Sequence, residues 1–180
     1  MENSSAISKL SQISYSGDHE ITFLYELPDH QEMIEELNRE AFGPARFTRA
    51  AHLIREQGGH DVRLSFVAML DKSVVGTVRM TPIMIGEINA YLLGPIVIAP
   101  SFKNLGLGGR LMRQTIEAAK EDRVPLILLV GDEPYYRRFD FKKVPEGEMI
   151  MPAPVNPARF LALELVNSAM EQAKGIVRHR

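Results

Sequence analysis

The sequence predicts an α/β domain of the α+β kind, a mixed, mostly antiparallel central sheet flanked by helices in the order β-α-α-β-β-β-α-β-α-β-β. Three observations predict it. A short alternating strand precedes two amphipathic helical stretches. Three longer strand-like runs then follow, joined by turns too short for crossovers, which makes them an antiparallel meander. Finally, a helix separates that meander from "VPLILLVGD", an almost wholly apolar run of the type buried on both faces, which permits a parallel pairing.

In "EITFLYEL", Ile21, Phe23, Tyr25 and Leu27 alternate onto one side, and Pro28 ends the strand. Asp29 and Glu32 have the spacing of a capping box, and Met33, Ile34, Leu37 and Ala41 continue at helical spacing until "FGP". "ARFTRAAHLIREQGG" repeats the pattern with Phe47, Ala50, Ala51 and Ile54 and stops at a glycine pair. The meander consists of "RLSFVAML", "SVVGTVRMTPIMI" and "AYLLGPIVIAP", with polar turns at 71–73 and 86–89. A helix to about Arg123 then carries the stripe Leu107, Leu111, Met112, Thr115, Ile116 and Ala119 opposite charged residues. In the tail, "RFLALEL" alternates like a strand, although a helix through Ala173 fits the same residues nearly as well. The reading adopted is a strand, a short helical turn, and "GIVRHR" as the last strand.

At 180 residues the chain has the size of one domain, placed at 20–180, and its serine-rich start, 1–19, reads as a flexible leader without the features of a secretory signal. No apolar run reaches the roughly 18 residues of a membrane helix, so no membrane association is expected and the cytoplasm is the expected compartment. A net charge of -2 gives no global electrostatic reason to expect nucleic acid. With no cysteine there is no disulfide, no thiolate zinc or iron–sulfur site, and no cysteine nucleophile.

The stretch "LGPIVIAPSFKNLGLGGRLM", 93–112, runs from a strand through a glycine-rich turn into a helix. The first N–H groups of a helix lack intrahelical partners and point together at the positive end of its dipole, which suits an anion. Gly106, Gly108 and Gly109 would let a diphosphate approach those amides; alternatively, they only solve a turn and a packing problem. A dinucleotide fingerprint starting at Gly106 needs glycine at position 111, where the chain has Leu111, and no P-loop occurs.

The pattern Val97, Pro100, Lys103, Gly106, Gly108, Leu111 resembles the acetyl-CoA signature of the GCN5-related N-acetyltransferase (GNAT) superfamily, with Lys103 where that family usually has Gln or Arg. "VVGTVRM", "LLGPIVIAP", "GDEPYYRRFDF" and "PARFLALEL" are similar to segments of small bacterial acetyltransferases in it. The resemblance implies acetyl-CoA as co-substrate, no metal, an amine acceptor on a small molecule or a protein, and a homodimer. It implies pantetheine along the backbone of Ile96, Val97 and Ile98, with an amide near Val97 or Ile98 facing the oxyanion. It implies pyrophosphate on the backbone of Lys103, Asn104, Leu105, Gly106, Leu107, Gly108, Gly109 and Arg110, with the Lys103 and Arg110 side chains adding charge.

"YYRRFDF" resembles the family's F-Y-x-R-F-G-F, which aligns Tyr136 with the tyrosine that protonates the departing thiolate; Tyr135 competes for the role. Asp140 stands where the family has glycine and tolerates a left-handed backbone better than most residues. Some members carry a glutamate where this chain has Leu92, so the general base is unassigned: Glu87 reads as a turn residue, Asp132 as a helix N-cap and His60 as a surface loop. Met80, Met84 and Phe47 read as core rather than as acceptor pocket. Without cysteine, direct transfer in a ternary complex is the expected mechanism, and a noncatalytic acyl-CoA binding module is the alternative.

Overall fold

A computed structural model describes residues 9–15, 19–44 and 49–180. The strands are β1 (Lys9–Tyr15), β2 (His19–Tyr25), β3 (Phe66–Leu70), β4 (Ser73–Ile85), β5 (Ile88–Ile98), β6 (Leu126–Val130), β7 (Lys142–Lys143), β8 (Met149–Ile150), β9 (Phe160–Glu164) and β10 (Gly175–His179). The helices are α1 (Gln31–Phe42), α2 (Ala50–Arg55), α3 (Leu107–Glu121), α4 (Glu133–Tyr136) and α5 (Ala169–Gln172). The sheet runs β1-β2-β3-β4-β5-β6-β9-β7, antiparallel except for β5 with β6. The expected mixed sheet with a meander and a parallel β5–β6 pairing is thus what forms, and β10 adds a second parallel pairing, with β8.

β4 is long enough to pair twice along one edge. Its first half pairs with β3 (Phe66↔Val78), and its end pairs with β10 (Val177↔Ile85). The interval between is filled by the 56–65 connection, whose Asp61 N–H donates to Met80 O. Asp71 (φ 52) and Gly86 (φ 55) supply the positive φ that the two tight hairpin turns need.

Helix α3 buries Leu107, Leu111, Met112, Thr115, Ile116 and Ala119, the predicted stripe, against Phe23, Phe66, Val78 and Met80 on one face of the sheet. Each buried leucine or isoleucine contributes roughly 1.5–3 kcal/mol. Arg123 (φ 55) then turns the chain off the helix axis. On the other face α1 packs Ile34 and Leu37 over Val67, Val74 and Val97, while α2 sets Ile54 on Ile83, Ile85 and Leu92. The tail forms as read: strand, one helical turn, strand.

Two local expectations are corrected. Lys9–Tyr15, read as part of a flexible leader, is a strand antiparallel to β2. An open strand edge pairs through backbone groups whatever the side chains are, so serine-rich composition hid it. The Asp29 capping box does not form, because the helix starts through a 3-10 turn at Pro28–His30 in which Leu27 N–H donates to His30 Nδ1. Met80 is fully buried in the α3-side core, as expected, whereas Phe47 lies outside the described residues.

Candidate active site

The sheet opens at β5 and β6. Their parallel ladder consists of Tyr91↔Ile127 and Leu92↔Leu128, although β5 continues to Ile98. Beyond Leu92 the backbone of β5 is still paired with β4 on its other edge, through Val78↔Ile96, Thr77↔Val97 and Gly76↔Ile98. A register shift in that ladder between Val78 and Met80 falls opposite Gly94 and Pro95. Gly94 takes φ 109, and Pro95, which follows a cis peptide bond, brings no N–H to a ladder. The result is a V-shaped gap with unpaired strand backbone on its β5 side.

At the open end of the gap the chain turns through Asn104 (φ 66) and Gly106 (φ 78) into α3. Gly106 caps the helix with its backbone alone, so the N–H groups of Leu107, Gly108 and Gly109 meet no capping side chain. Two N–H groups of the predicted phosphate segment are already used, since Lys103 N–H donates to Pro100 O and Arg110 N–H to Gly106 O. The three glycines are not equivalent. Gly106 is needed for its left-handed φ, whereas a Cβ on Gly108 would press on the Tyr135 hydroxyl at 3.2 Å. Lys103 is exposed, while Arg110 turns toward the sheet, donating to Ser11 Oγ (3.3 Å) and lying over the Phe23 ring.

At the closed end lies a cleft of about 850 Å³. Its floor is Leu93–Ile96 of β5 and the end of β6; its walls are α1, α2, the 58–60 loop, Tyr135, Tyr136 and Arg159. Tyr136 packs edge-on to Phe141 and lies so close to Gly131 that any Cβ there would collide with its ring. Burial first, then the neighbouring Tyr135 and Asp132, push the Tyr136 phenol up to about 12, with Arg159 opposing. It is therefore a neutral O–H donor at every physiological pH. Gly131→Ala is expected to displace this ring and lower turnover at least tenfold while the fold is retained, as read by steady-state rates beside a circular-dichroism melt. Unchanged rates would show that the ring position is immaterial. Asp140, in place of glycine, does adopt the left-handed backbone (φ 66) that closes the turn after Tyr136.

Opposite the tyrosines sits a group of charges that sequence reading missed. Glu26, just past β2, is buried with its side chain 4% exposed, and Arg79 of β4 grips it with Nε (2.9 Å) and Nη2 (2.6 Å). Arg79 also reaches Glu35 of α1 (3.2 Å) and Gln31 (2.7 Å). His60 Nε2 lies 3.0 Å from Glu26 Oε1. Burial alone would raise the Glu26 carboxyl, yet the contacts from His60 and Arg79 outweigh it and hold the group below 4.5. His60 is thus part of the cleft wall. The glycine pair before it is held by the last strand: the His179 ring lies on Gly58, its Nε2 is 2.9 Å from Gly59 O, and His179 N–H donates to Gln57 Oε1. The signal was present in "GGH" but was absorbed by the helix-stop reading of the glycines.

The other base candidates fall elsewhere. Glu87 is in the β4–β5 turn, and Leu92 is buried on the α2 side of the sheet. Asp132 occupies the N-cap position of α4 but makes no capping hydrogen bond; it ion-pairs with Arg159 at 3.3 Å on the cleft rim. Met84 is not among the cleft residues. No group of acids, histidines and cysteines among the described residues could hold a metal ion. None of the described helices is long and apolar enough to cross a membrane.

The described residues thus place a splayed sheet beside a helix N-terminus, with a tyrosine at the head of the gap. The chain belongs to the acetyltransferase (GNAT) family, which its residues 19–141 match, and is by that membership an acyltransferase. Among curated proteins it is 27% identical to the uncharacterized N-acetyltransferase YjhQ of Escherichia coli (strain K12), over 89% of this chain and 91% of that protein. Among solved structures, the GNAT-family YhbS from Escherichia coli, in complex with CoA, aligns over 93% of this chain and 94% of its own with a TM-score of 0.76 at 20% identity. A GNAT acetyltransferase from Brucella melitensis, in complex with acetyl-CoA, aligns over 89% and 96% with a TM-score of 0.65 at 25% identity.

Proposed function

We propose that this protein transfers an acetyl group from acetyl-CoA to an amine, on a small molecule or a protein, by direct attack in a ternary complex. The observation that carries the reading is the gap between β5 and β6, which opens onto the bare N-terminus of α3 and ends at Tyr136. Pantetheine amides fit the gap-facing edge of Ile96, Val97 and Ile98, whose other edge pairs with β4, as a missing strand would. The pyrophosphate fits the free N–H groups between Asn104 and Gly109, with exposed Lys103 supplying charge. Arg110 is committed to Ser11 and Phe23 and holds β1 and β2 to α3, so it acts on the phosphates at most through the field.

In the reaction the amine nitrogen attacks the thioester carbon, forming the C–N bond, and the C–S bond breaks as the tetrahedral adduct collapses. One proton leaves the nitrogen. In this reading His60 of the cleft wall takes it, and Glu26 beside it stabilises the resulting imidazolium. The electron pair of the broken bond stays on sulfur. A phenol at about 12 holds its proton more tightly than a thiol near 8.5, so Tyr136 donates a hydrogen bond to the departing thiolate, which takes its proton from water on release. With no cysteine in the chain, an acetyl-cysteine intermediate cannot form. Initial rates are expected to give intersecting double-reciprocal lines; parallel lines would overturn direct transfer.

Thermal melting with acetyl-CoA, CoA, NAD and ATP in separate samples tests the cofactor. A ligand at 100 times its Kd adds about 2.7 kcal/mol, which is roughly 5 to 10 °C for a domain of this size. Both CoA species are expected to shift the transition and the nucleotides not. Gly106→Ala, which forces a Cβ into a left-handed backbone at a cost of roughly 1–2 kcal/mol, should lower the melting temperature and shrink the CoA shift. CoA binding without thiol release from any amine would instead favour a noncatalytic acyl-CoA binding module. The same proposal includes the cytoplasm as compartment and a homodimer, read in solution as twice the 20.2 kDa of the chain.

A further inference from the structure

Most charges around the cleft are neutralised by named partners. Arg79 is taken by Glu26 and Glu35, Arg159 by Asp132, and His52 meets Glu56 at 3.2 Å, while exposed Arg49 has only the Phe42 ring beneath it. Arg55 differs. It is the last residue of α2 and lines the cleft; it makes no ion pair among the described residues, and its Nε is buried without a hydrogen-bond partner. Its guanidinium is directed at β5, where a Cβ on Gly94 would meet Nη2 at 3.2 Å, so the group stands beside the point where the sheet opens. Burial, and secondarily the positive charge of Arg79, pull its pKa down to about 10. It therefore remains a guanidinium at neutral pH, partly buried and with no counter-charge among the described residues, an arrangement that costs stability unless a ligand supplies the anion.

The cleft also holds an orphan of the opposite kind. Asn38 of α1 is 5% exposed; its Nδ2 donates to Ile34 O, while its Oδ1 is buried and accepts nothing. The cleft thus presents an unsatisfied cationic donor and an unsatisfied neutral acceptor. The residues lining it include none from 97–110, so Arg55 is on the acceptor side of the thioester and not at the phosphate-binding turn.

We infer that the acceptor is a small amine that carries a carboxylate, bound by Arg55, with Asn38 Oδ1 accepting from an N–H or O–H of the same molecule. This rests on the acetyltransferase reading of the same cleft. One planar guanidinium fork matches a carboxylate in bidentate fashion. A phosphate dianion would call for a second cation held beside Arg55, whereas Arg49, the other cleft arginine without an ion pair among the described residues, is exposed and lies over the Phe42 ring. A cleft of about 850 Å³ is in the range of small-molecule sites, with room for the acetyl end of the cofactor as well.

The test compares glycine, β-alanine, 4-aminobutyrate and glutamate, each beside its carboxamide, with phosphoethanolamine and an unacidic peptide amine, by CoA thiol release. At least one carboxylate amine is expected to exceed its amide about 10- to 100-fold in kcat/KM, the size of a charged hydrogen bond. Arg55→Met should abolish that preference and Arg55→Lys restore part of it, with each variant's melting curve confirming a folded domain. Amides or the peptide turned over as well as the acids would overturn the inference and leave the acetyltransferase reading intact; activity confined to phosphoethanolamine would overturn the carboxylate. If no amine releases thiol, that reading fails instead, and melting of the CoA-loaded protein with the same panel decides the inference. Shifts with acids alone, lost in Arg55→Met, support it, whereas equal shifts, or none, sink it.

Discussion

Tyr136→Phe is expected to lower kcat about 10²–10³-fold, the effect of deleting one donor aimed at developing charge, while acetyl-CoA still shifts the melting temperature as in the wild type. The ring stays because Gly131 and Phe141 hold it by shape, so only the O–H is lost. Tyr135→Phe separates the two neighbours. The Tyr135 hydroxyl approaches Gly108 at the start of α3, so its removal should be felt in cofactor affinity more than in turnover. If Tyr135→Phe gave the larger loss of kcat and Tyr136→Phe a small one, the assignment would be reversed. Because the Tyr136 phenol is pushed up to about 12, no alkaline limb from its ionisation is expected in the neutral or mildly alkaline range.

Glu26→Gln carries the largest expected effect on stability. Removing the charge of Glu26 leaves the Arg79 guanidinium, itself 11% exposed, facing a neutral amide. Breaking a buried pair from one side costs about 3–5 kcal/mol; with Glu35 and Gln31 still on Arg79, the low end applies. That corresponds to a melting temperature lower by roughly 6 to 12 °C. The pH dependence has a definite sign. The folded carboxyl titrates below 4.5, so its stabilisation is present above that pH and is lost as pH falls through the lower folded value. The gap in melting temperature between wild type and Glu26→Gln should therefore be widest above pH 4.5 and narrow below it. A gap of under 2 °C at neutral pH, or one that widens in acid, would mean that Glu35 alone suffices for Arg79.

Much of this was legible in the chain because it rests on local pattern. The stripe on α3, the alternation of β2 and the polar turns at 71–73 and 86–89 each encode one element with a period of its own. The glycine turn into α3 was legible for the same reason, since a helix start preceded by glycines is a local feature. What could not be read was pairing at a distance. Glu26, Arg79 and His60 are separated by long stretches of sequence and meet only because β2 and β4 both flank β3. In the sequence Arg55 is one of several cations with no pattern of its own; that it stands against Gly94 at the opening of the sheet appears only when α2 is packed in place. Likewise Lys9–Tyr15 carries no strand signature of its own and takes its form from the edge of β2.

The brief ladder between β5 and β6 has a mechanical consequence. A sheet transmits load through its cross-strand bonds, and at this seam the β6–β9–β7 side is joined to the meander by Tyr91↔Ile127 and Leu92↔Leu128, with side-chain packing around them. The protein is in effect a beam with a notch cut into it, and a ligand threaded along β5 is a splint across the cut. Amide hydrogen exchange in Leu126–Val130 should then slow on cofactor binding well beyond the residues the ligand touches, and the two sides of the notch should open separately in its absence and together in its presence. If the acyl donor binds along β5 as proposed, it is a temporary strand of the fold, and its concentration sets how stiff the protein is.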